Sequence, residues 1–245
     1  MQVLSRQEKA RYERQLIMPE IGQVGQKRLK RSRVLIAGLG GLGSISAFYL
    51  AAAGIGFLRI VDRDRVAVSN LNRQLLHATP DLGRLKTESA FEKLQALNPF
   101  VRIEAVSQEI GQKNASDLAK GCNLILDATD NVIARRFLNR ASLNLKVPFV
   151  FGGVSGFSGM VASFIPGETA CFECLFGSAQ DCKGPVAVLG PVAGLVASIQ
   201  AIEAIKLILG CGIPLKGELL RIQAGSLNIG KIRIDRNPQC PACQN

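Results

Sequence analysis

The residues with the plainest chemistry are glycines. Gly38, Gly40 and Gly43 stand at G-x-G-x-x-G spacing in Gly38-Leu-Gly40-Gly41-Leu-Gly43, with the apolar run Val34-Leu-Ile-Ala37 before them and a small-residue stretch through Ala53 after them. Lacking Cβ atoms, such a turn lets backbone N–H groups close on a phosphate at the N-terminus of the following helix. Asp62 lies 22 residues after Gly40 and ends a second apolar run, Phe57 to Val61, where a carboxylate can accept hydrogen bonds from a ribose. Strand, glycine turn, helix and acidic strand end together point to a nucleotide. They do not choose among NAD, FAD and ATP.

The residues beyond Asp62 narrow the chemistry. Arg73, in Ser69-Asn-Leu-Asn-Arg-Gln74, and Lys86, in Leu82-Gly-Arg-Leu-Lys86, are cations in loop and early-helix positions beside the first strand's C-terminal edge. Asp130, in Asp127-Ala-Thr-Asp130-Asn131, follows the fourth strand at that same edge. The cations suit a polyphosphate, and a carboxylate facing it suits Mg²⁺, a hard ion held by carboxylate and phosphate oxygens. Each residue alone reads more simply as a surface arginine, a helix-face lysine or a helix cap. Their common placement argues for a polyphosphate with its metal, and hydride transfer requires none of them. His77 is the only histidine and reads as structural, which argues against a mechanism built on a histidine base.

Four of the seven cysteines form two C-x-x-C pairs, Cys171-Phe-Glu-Cys174 and Cys240-Pro-Ala-Cys243. A four-cysteine zinc site is the favoured reading, and four thiolates leave no open position for water, so its Zn²⁺ is structural. The rival is a redox C-x-x-C, which would open a helix after a strand; neither pair is expected to do so. With 65 residues between the pairs, the site ties the end of the sequence back onto the domain. Cys122 and Cys211 flank expected elements and read as small buried hydrophobes.

These residues need a framework. Apolar residues make up 47% of the 245, charged residues 20% and aromatics 5%, with no tryptophan, which fits an aliphatic core around buried parallel strands and excludes disordered and collagen-like chains. Strands are expected at 34–37, 57–61, 101–106, 123–128 and 148–151, alternating with helices after Gly43 through Ala53, from Thr79-Pro80 to Leu97, at 115–120 and at 131–145. A capping box, Ser5-Arg-Gln-Glu8, should start a short helix reaching Leu16. That order means an α/β, Rossmann-like, mostly parallel twisted sheet with helices on both faces. After Gly152 the expected elements are a strand at 160–165, a crossing segment at 176–190, a long helix from Pro191 to Leu209, and strands at 218–223 and 229–234.

One domain is expected over residues 1–245, since no Pro/Ser-rich linker divides it: a helical arm (1–33), a first half (34–152), and a C-terminal half (153–245) that extends the sheet and carries the zinc knuckle. The net charge is +11, of which nine basic and three acidic residues in positions 1–33 supply +6. The sign asks for an anionic partner without naming it. Gly184 to Ile202 holds no charge, but glycines and prolines interrupt it, so a core or interface helix is expected and no membrane span. The polar opening segment carries no secretion signal, which makes the cytoplasm the default location.

Arg11-Tyr-x-Arg14-Gln, the run Val-Leu-Ile-Ala-Gly-Leu-Gly-Gly-Leu-Gly, Ser69-Asn-Leu-Asn-Arg-Gln and Ala-Thr-Asp-Asn resemble the ThiF/MoeB/HesA family, bacterial relatives of the ubiquitin-activating enzymes. The resemblance runs from Arg11 to Cys243. It implies ATP-dependent adenylation of the C-terminal glycine of a small ubiquitin-like sulfur carrier protein ending in Gly-Gly, in thiamin, molybdopterin or related biosynthesis. By motif, Gly38, Gly40, Gly41 and Gly43 belong to the nucleotide loop, Asp62 to the ribose, Asn70, Arg73 and Lys86 to the phosphates, and Asp130 with Asn131 to the Mg²⁺–nucleotide edge. Arg14 matches an arginine that reaches into the partner subunit's site, which implies a homodimer.

Cys182, in Ala179-Gln-Asp-Cys182-Lys-Gly184-Pro185, falls where the family's crossover loop carries a thiol that receives the activated acyl group. The Lys-Gly-Pro after it departs from the acidic and Ala-Gly sequence of that loop. No rhodanese-like segment follows Cys243, so a separate sulfur donor is expected. The competing functions are a tRNA-modifying adenylating relative, an NAD- or FAD-linked oxidoreductase, and a basic nucleic-acid-binding module. The last lacks aromatic stacking residues and any nucleic-acid motif.

Overall fold

The computed structural model describes residues 3–181, 184 and 186–244. Three short helices precede the sheet: α1 (Arg6–Arg11), α2 (Glu13–Leu16) and α3 (Gly22–Arg31). The capping box forms as expected, with Ser5 Oγ accepting the Glu8 N–H at 3.1 Å and Glu8 Oε2 accepting the Ser5 N–H at 2.8 Å. The helix it starts breaks at Tyr12, whose ring is buried and whose hydroxyl accepts from Asn98 Nδ2 at 2.9 Å. The sequence reading did not anticipate α3.

The first strands and helices follow in strict alternation: β1 (Arg33–Ala37), α4 (Gly41–Ala53), β2 (Phe57–Val61), α5 (Lys86–Leu97), β3 (Arg102–Val106), α6 (Ala115–Ala119), β4 (Leu124–Asp127), α7 (Val132–Leu145) and β5 (Phe149–Ser155). After β5 come β6 (Ser158–Phe164), α8 (Phe172–Phe176), α9 (Gly190–Leu209), β7 (Glu218–Gln223) and β8 (Asn228–Arg233). The eight strands form one sheet in the order β3-β2-β1-β4-β5-β6-β7-β8. β1 to β5 pair in parallel, and β6, β7 and β8 are added antiparallel.

Helices cover both faces because β1 is apolar on both. Val34 and Ile36 pack in one cluster with Leu42 and Leu50 of α4, Leu94 of α5 and Val196 of α9. Leu35 and Ala37 pack in another with Leu118 of α6, Leu138 of α7 and Phe172 of α8. Val34, Leu35, Ile36 and Ala37 are all fully buried, so each face contributes on the order of 1.5–3 kcal/mol per large aliphatic side chain. The chain leaves β1 toward β2 on one side and returns to β4 on the other. In open α/β sheets that reversal opens a crevice at the carboxyl ends of the strands.

Two expectations need correction. The helix expected from Thr79 to Leu97 starts at Lys86; residues Thr79–Asp81 form a separate 3-10 turn. Asp81 Oδ2 accepts the Ala78 N–H to close that turn, Gly83 takes φ +79°, and Leu85 bridges Arg65, which together break the helical path. The first C-x-x-C does open a helix, since Cys171 is the N-cap of α8.

The long apolar helix α9 passes the length and hydropathy test for a membrane span, yet half of it is buried against α4, β5 and β6. Inside it, Glu203 Oε2 accepts from Ser163 Oγ (2.8 Å) and from the Leu215 N–H (2.7 Å), and the carboxylate also pairs with Lys206. It is a core helix. Its outer face shows Leu195, 38% exposed, and Ile202, 54% exposed. Cys122 is buried as expected, while Cys211 is only partly so.

Candidate active site and metal centre

The glycine turn is shaped by its own backbone. Gly38 takes φ +95°, and a Cβ there would lie 2.5 Å from the Ala128 carbonyl oxygen, so the turn presses on the loop after β4. A Cβ on Gly43 would lie 1.9 Å from the Gly38 oxygen. These two glycines allow the strand and helix to approach. Gly40 differs: at φ −74° a Cβ would meet nothing closer than Gln74 Nε2 at 3.7 Å. It is the N-cap of α4, and no side chain caps that helix. The first N–H groups of α4 therefore have no capping side chain, and the positive end of the helix dipole lies behind them.

Asp62 ends β2 at that turn. Its Oδ2 accepts the Leu39 N–H at 2.7 Å and its Oδ1 accepts the Asp64 N–H at 2.8 Å. Burial pushes its carboxyl above the ordinary range, opposed chiefly by the nearby Lys86 ammonium. Lys86, the first residue of α5, is buried with Nζ 2.8 Å from Asp64 Oδ2 and 4.0 Å from Asp62 Oδ2. On the other side of Leu39, His77 Nε2 lies 3.3 Å from the Leu39 carbonyl, and its Nδ1 lies 2.9 Å from Ser89 Oγ. A carbonyl only accepts, so Nε2 carries the hydrogen. Burial holds the His77 pKa below the usual histidine value, which keeps the ring neutral and agrees with a structural role.

Arg73 projects over the start of α4, with its Cγ 3.5 Å from where a Gly41 Cβ would be. Its guanidinium donates to the Ser69 carbonyl (2.8 Å) and to Asn72 Oδ1 (2.9 Å). Asn70 builds the turn that carries it: Asn70 Oδ1 accepts the Ala67 N–H, and its carbonyl accepts the Arg73 and Gln74 N–H groups. The sequence reading passed over Gln74. It is buried beside Gly40, and its Oε1 has no hydrogen-bond partner among the described residues. An orphaned buried acceptor costs about 1–3 kcal/mol, so it marks a place where a donor is wanted. Its position next to Arg73 in the same motif was the available signal.

Asp130 stands exposed in the turn between β4 and α7. The plain alternative, a helix cap, falls to its neighbour: Asn131 Oδ1 accepts the Ala134 N–H at 2.7 Å. The Asn131 side-chain oxygen is thus spent on α7. Asp127, buried at the end of β4, accepts from Thr129 N and Oγ1 and pairs with Arg135 Nε at 3.1 Å, which fixes the turn ahead of Asp130. Asp181, in the crossing segment, reaches this same edge and accepts the Val132 N–H at 2.5 Å. Cys182 lies outside the described residues.

Arg14 does not join the cluster. It is exposed on α2, and α2 is fastened by Gln15 Nε2 to the Ala53 carbonyl at the far end of α4. That places it about 20 Å, the length of α4, from the glycine turn of its own chain.

The two cysteine pairs do meet. Cys171 Sγ lies 3.9 Å from Cys174 Sγ and 3.7 Å from Cys240 Sγ, and Cys174 Sγ lies 3.5 Å from Cys243 Sγ; all four sulfurs fall within 4.8 Å of one another. A disulfide would require about 2 Å. A tetrahedron of sulfurs at the usual zinc–sulfur distance has edges of ~3.8 Å, so the four thiols fit that ion. Asn139 donates to Cys171 Sγ at 3.6 Å and accepts the Phe172 N–H at 3.0 Å, orienting the first pair.

With this geometry, the chain's relatives can be placed. A profile of the ThiF family matches residues 12–242. The chain is 42% identical to a sulfur carrier protein adenylyltransferase of Thermus thermophilus, over 98% of this chain and 92% of that protein. It is 39% identical to a molybdopterin-synthase adenylyltransferase of Salmonella typhimurium, over 99% of each. Among solved structures, E. coli MccB crystallised with MccA-N7isoASN superposes with a TM-score of 0.85 at 25% identity, covering 97% of this chain and 75% of that one. The chain belongs to the ThiF family.

Proposed function

We propose that the protein uses ATP to adenylate the C-terminal glycine carboxylate of a small ubiquitin-like sulfur carrier protein, releasing pyrophosphate. The observation that carries this reading is the convergence, at one crevice, of an uncapped helix start at Gly40, the buried Lys86 ammonium, Arg73 and the Asp130 turn. The names of the relatives supply the substrate class.

In this reading the N–H groups of α4 and the open volume at Gly40 receive the phosphates, Asp62 the ribose, and Arg73 and Lys86 the charge of the leaving phosphates. The carrier's carboxylate oxygen bonds to the α-phosphorus while the bond from that phosphorus to the bridging oxygen of pyrophosphate breaks in line. The nucleophile is already ionised, so no general base is required. Two anions must nevertheless meet, and the cations offset their repulsion and the charge that builds on the departing oxygen. Asp130 would hold Mg²⁺, which when bound supplies further positive charge to the triphosphate. Cys171, Cys174, Cys240 and Cys243 would hold a structural Zn²⁺.

The position of Arg14 supports a homodimer, because only a second copy could bring it to the glycine turn. Leu195 and Ile202 on the outer face of α9 support the same reading. Residues 34–152 then form the nucleotide half, 153–245 the carrier half, and 1–33 the arm. Cys182 is the proposed thiol for the acyl group, and a separate protein supplies the sulfur. We place the activity in the cytoplasm.

The test is exchange of labelled pyrophosphate into ATP with Mg²⁺ and candidate small proteins ending in Gly-Gly, read together with the intact mass of each candidate. Carrier-dependent exchange and a mass increase of one AMP residue are expected. Exchange stimulated by tRNA instead of a carrier would overturn the substrate assignment.

A further inference from the structure

A second concavity lies at the opposite end of the sheet, where β1, β4 and β5 begin. It has a volume of about 320 Å³ and opens between the last turns of α3 and α9. Arg28, Arg31, Ser32 and Asn123 line it, with Leu124, Leu207 and Ile208 as its apolar floor. The nucleotide reading uses none of these residues. The volume is at the lower end of the range for small-molecule sites.

Both charged side chains of this lining are cationic, and Ser32 spends its hydroxyl hydrogen on the Arg28 carbonyl at 2.7 Å. Arg28 and Arg31 are three apart on the last turn of α3 and so leave the same side of the helix. Arg28 Nη1 donates to the Leu209 carbonyl at 2.8 Å, which anchors the guanidinium on the C-terminus of α9 and leaves its other N–H groups available. Arg31 is exposed and makes no ion pair or side-chain hydrogen bond with a described residue. Asn123 uses its oxygen to accept the Arg33 N–H at 2.8 Å, so the group it has left is the Nδ2 donor. No acidic side chain lines the cavity among the described residues.

Two guanidiniums and an amide donor with no acidic side chain beside them ask for a negative acceptor; planar guanidinium forks match carboxylate and phosphate oxygens in particular. The aliphatic floor asks for something different, a body that gains by leaving water. A nucleoside triphosphate has no such body. From these observations we propose that the concavity binds a small amphipathic oxyanion, an apolar body carrying one phosphate or carboxylate head. Head and body are read separately by the rim and the floor. The proposal goes beyond the adenylation reading and does not depend on it.

The experiment uses the full chain with 1-naphthyl phosphate and 1-naphthoate as probes, titrated calorimetrically with and without saturating Mg-ATP. Inorganic phosphate is the control for head-group contact alone. Two variants report on the site. Arg31→Glu reverses an exposed charge. Asn123→Asp keeps the acceptor that β1 requires while removing the Nδ2 donor. Expected are one equivalent of probe per chain, retention of binding in the presence of ATP, at least tenfold weaker binding in each variant, and much weaker binding of inorganic phosphate. The tighter of the two probes identifies the head. Failure of both probes to saturate, displacement by ATP, or unchanged affinity in both variants overturns the proposal.

Discussion

Asp62 holds the middle of the glycine turn: its Oδ2 accepts the Leu39 N–H at 2.7 Å, while the Leu39 carbonyl on the other side of the residue faces His77 Nε2 at 3.3 Å. The turn that presents the α4 N–H groups is therefore fixed from β2 and from the segment before α5 together. Charge and backbone are placed by the same residue, since Asp62 also lies 4.0 Å from the Lys86 ammonium.

The two kinds of glycine in this turn should separate experimentally. Gly43→Ala puts a methyl where the Gly38 oxygen stands and is expected to lower stability by about 2–3 kcal/mol, the scale of core overpacking. Gly40→Ala meets nothing closer than Gln74 Nε2 at 3.7 Å, so its melting temperature should stay close to the parent's while ATP-dependent exchange falls at least tenfold. Thermal melts and exchange rates on both variants test the contrast. Equal loss of exchange at equal loss of stability would remove Gly40 from the nucleotide site.

Asp130 and Asn131 are neighbours with different work. Asn131→Ala removes the cap of α7 and should cost about 1 kcal/mol in urea unfolding. Asp130→Ala removes no hydrogen bond with a described residue and should leave unfolding unchanged while abolishing adenylate formation. An Asp130→Ala protein that forms acyl-adenylate at near-normal rate takes Asp130 out of the metal position.

Arg14 offers a test of the dimer. Arg14→Ala and Asp130→Ala should each be inactive alone. Mixed and allowed to exchange subunits, they should recover activity toward one quarter of wild type, because a mixed dimer retains one complete site. A mixture as inactive as its components would separate Arg14 from a partner's site.

The cysteine cluster should carry one zinc per chain by metal analysis. Cys240→Ser is expected to lose it and to lower the melting temperature, since a metal held by the four sulfurs would tie residues 240–243 to the start of α8. Zinc in the variant at wild-type stoichiometry would argue against a four-thiolate site.

His77 predicts the acid side of the stability curve. Its pKa is lowered from the ordinary 6.5 by burial, so the unfolded chain binds its proton more readily than the folded one. The stability that the neutral ring contributes is complete above 6.5 and is lost as pH falls through the lower folded value. As the only histidine, it should dominate the slope of urea midpoints just below pH 6.5, and His77→Gln should flatten that slope. An equally steep slope in the variant assigns it to other groups.

The alternation of apolar runs with helical stretches, the glycine spacing and the paired cysteines were sufficient to read a parallel sheet covered on both faces, a glycine turn between strand and helix, and a four-cysteine cluster. Each of these is a local pattern with a local cause: a buried apolar run, a missing Cβ, or a ligand type. The helix before Leu97 was misplaced at its start, because Thr79-Pro80 is a genuine start signal that Gly83 and the Arg65–Leu85 bridge cut short. Helix α3 buries Gly25, Gln26 and Leu29, so only one large apolar residue marked its inner face.

Proximity was decided by the tertiary structure alone. Residues 171 and 240 come within 3.7 Å at their sulfurs, and Lys86 comes within 4.0 Å of Asp62, only because strand order and helix packing bring segments distant in sequence together. The same packing assigned the α7 cap to Asn131 and left Asp130 exposed, buried an unpartnered Gln74 oxygen beside Gly40, and set Arg14 a helix length away from its own glycine turn. Residue types and spacing specify which groups a chain owns. Which of them share a space depends on contacts between residues far apart in sequence, and spacing carries no record of those.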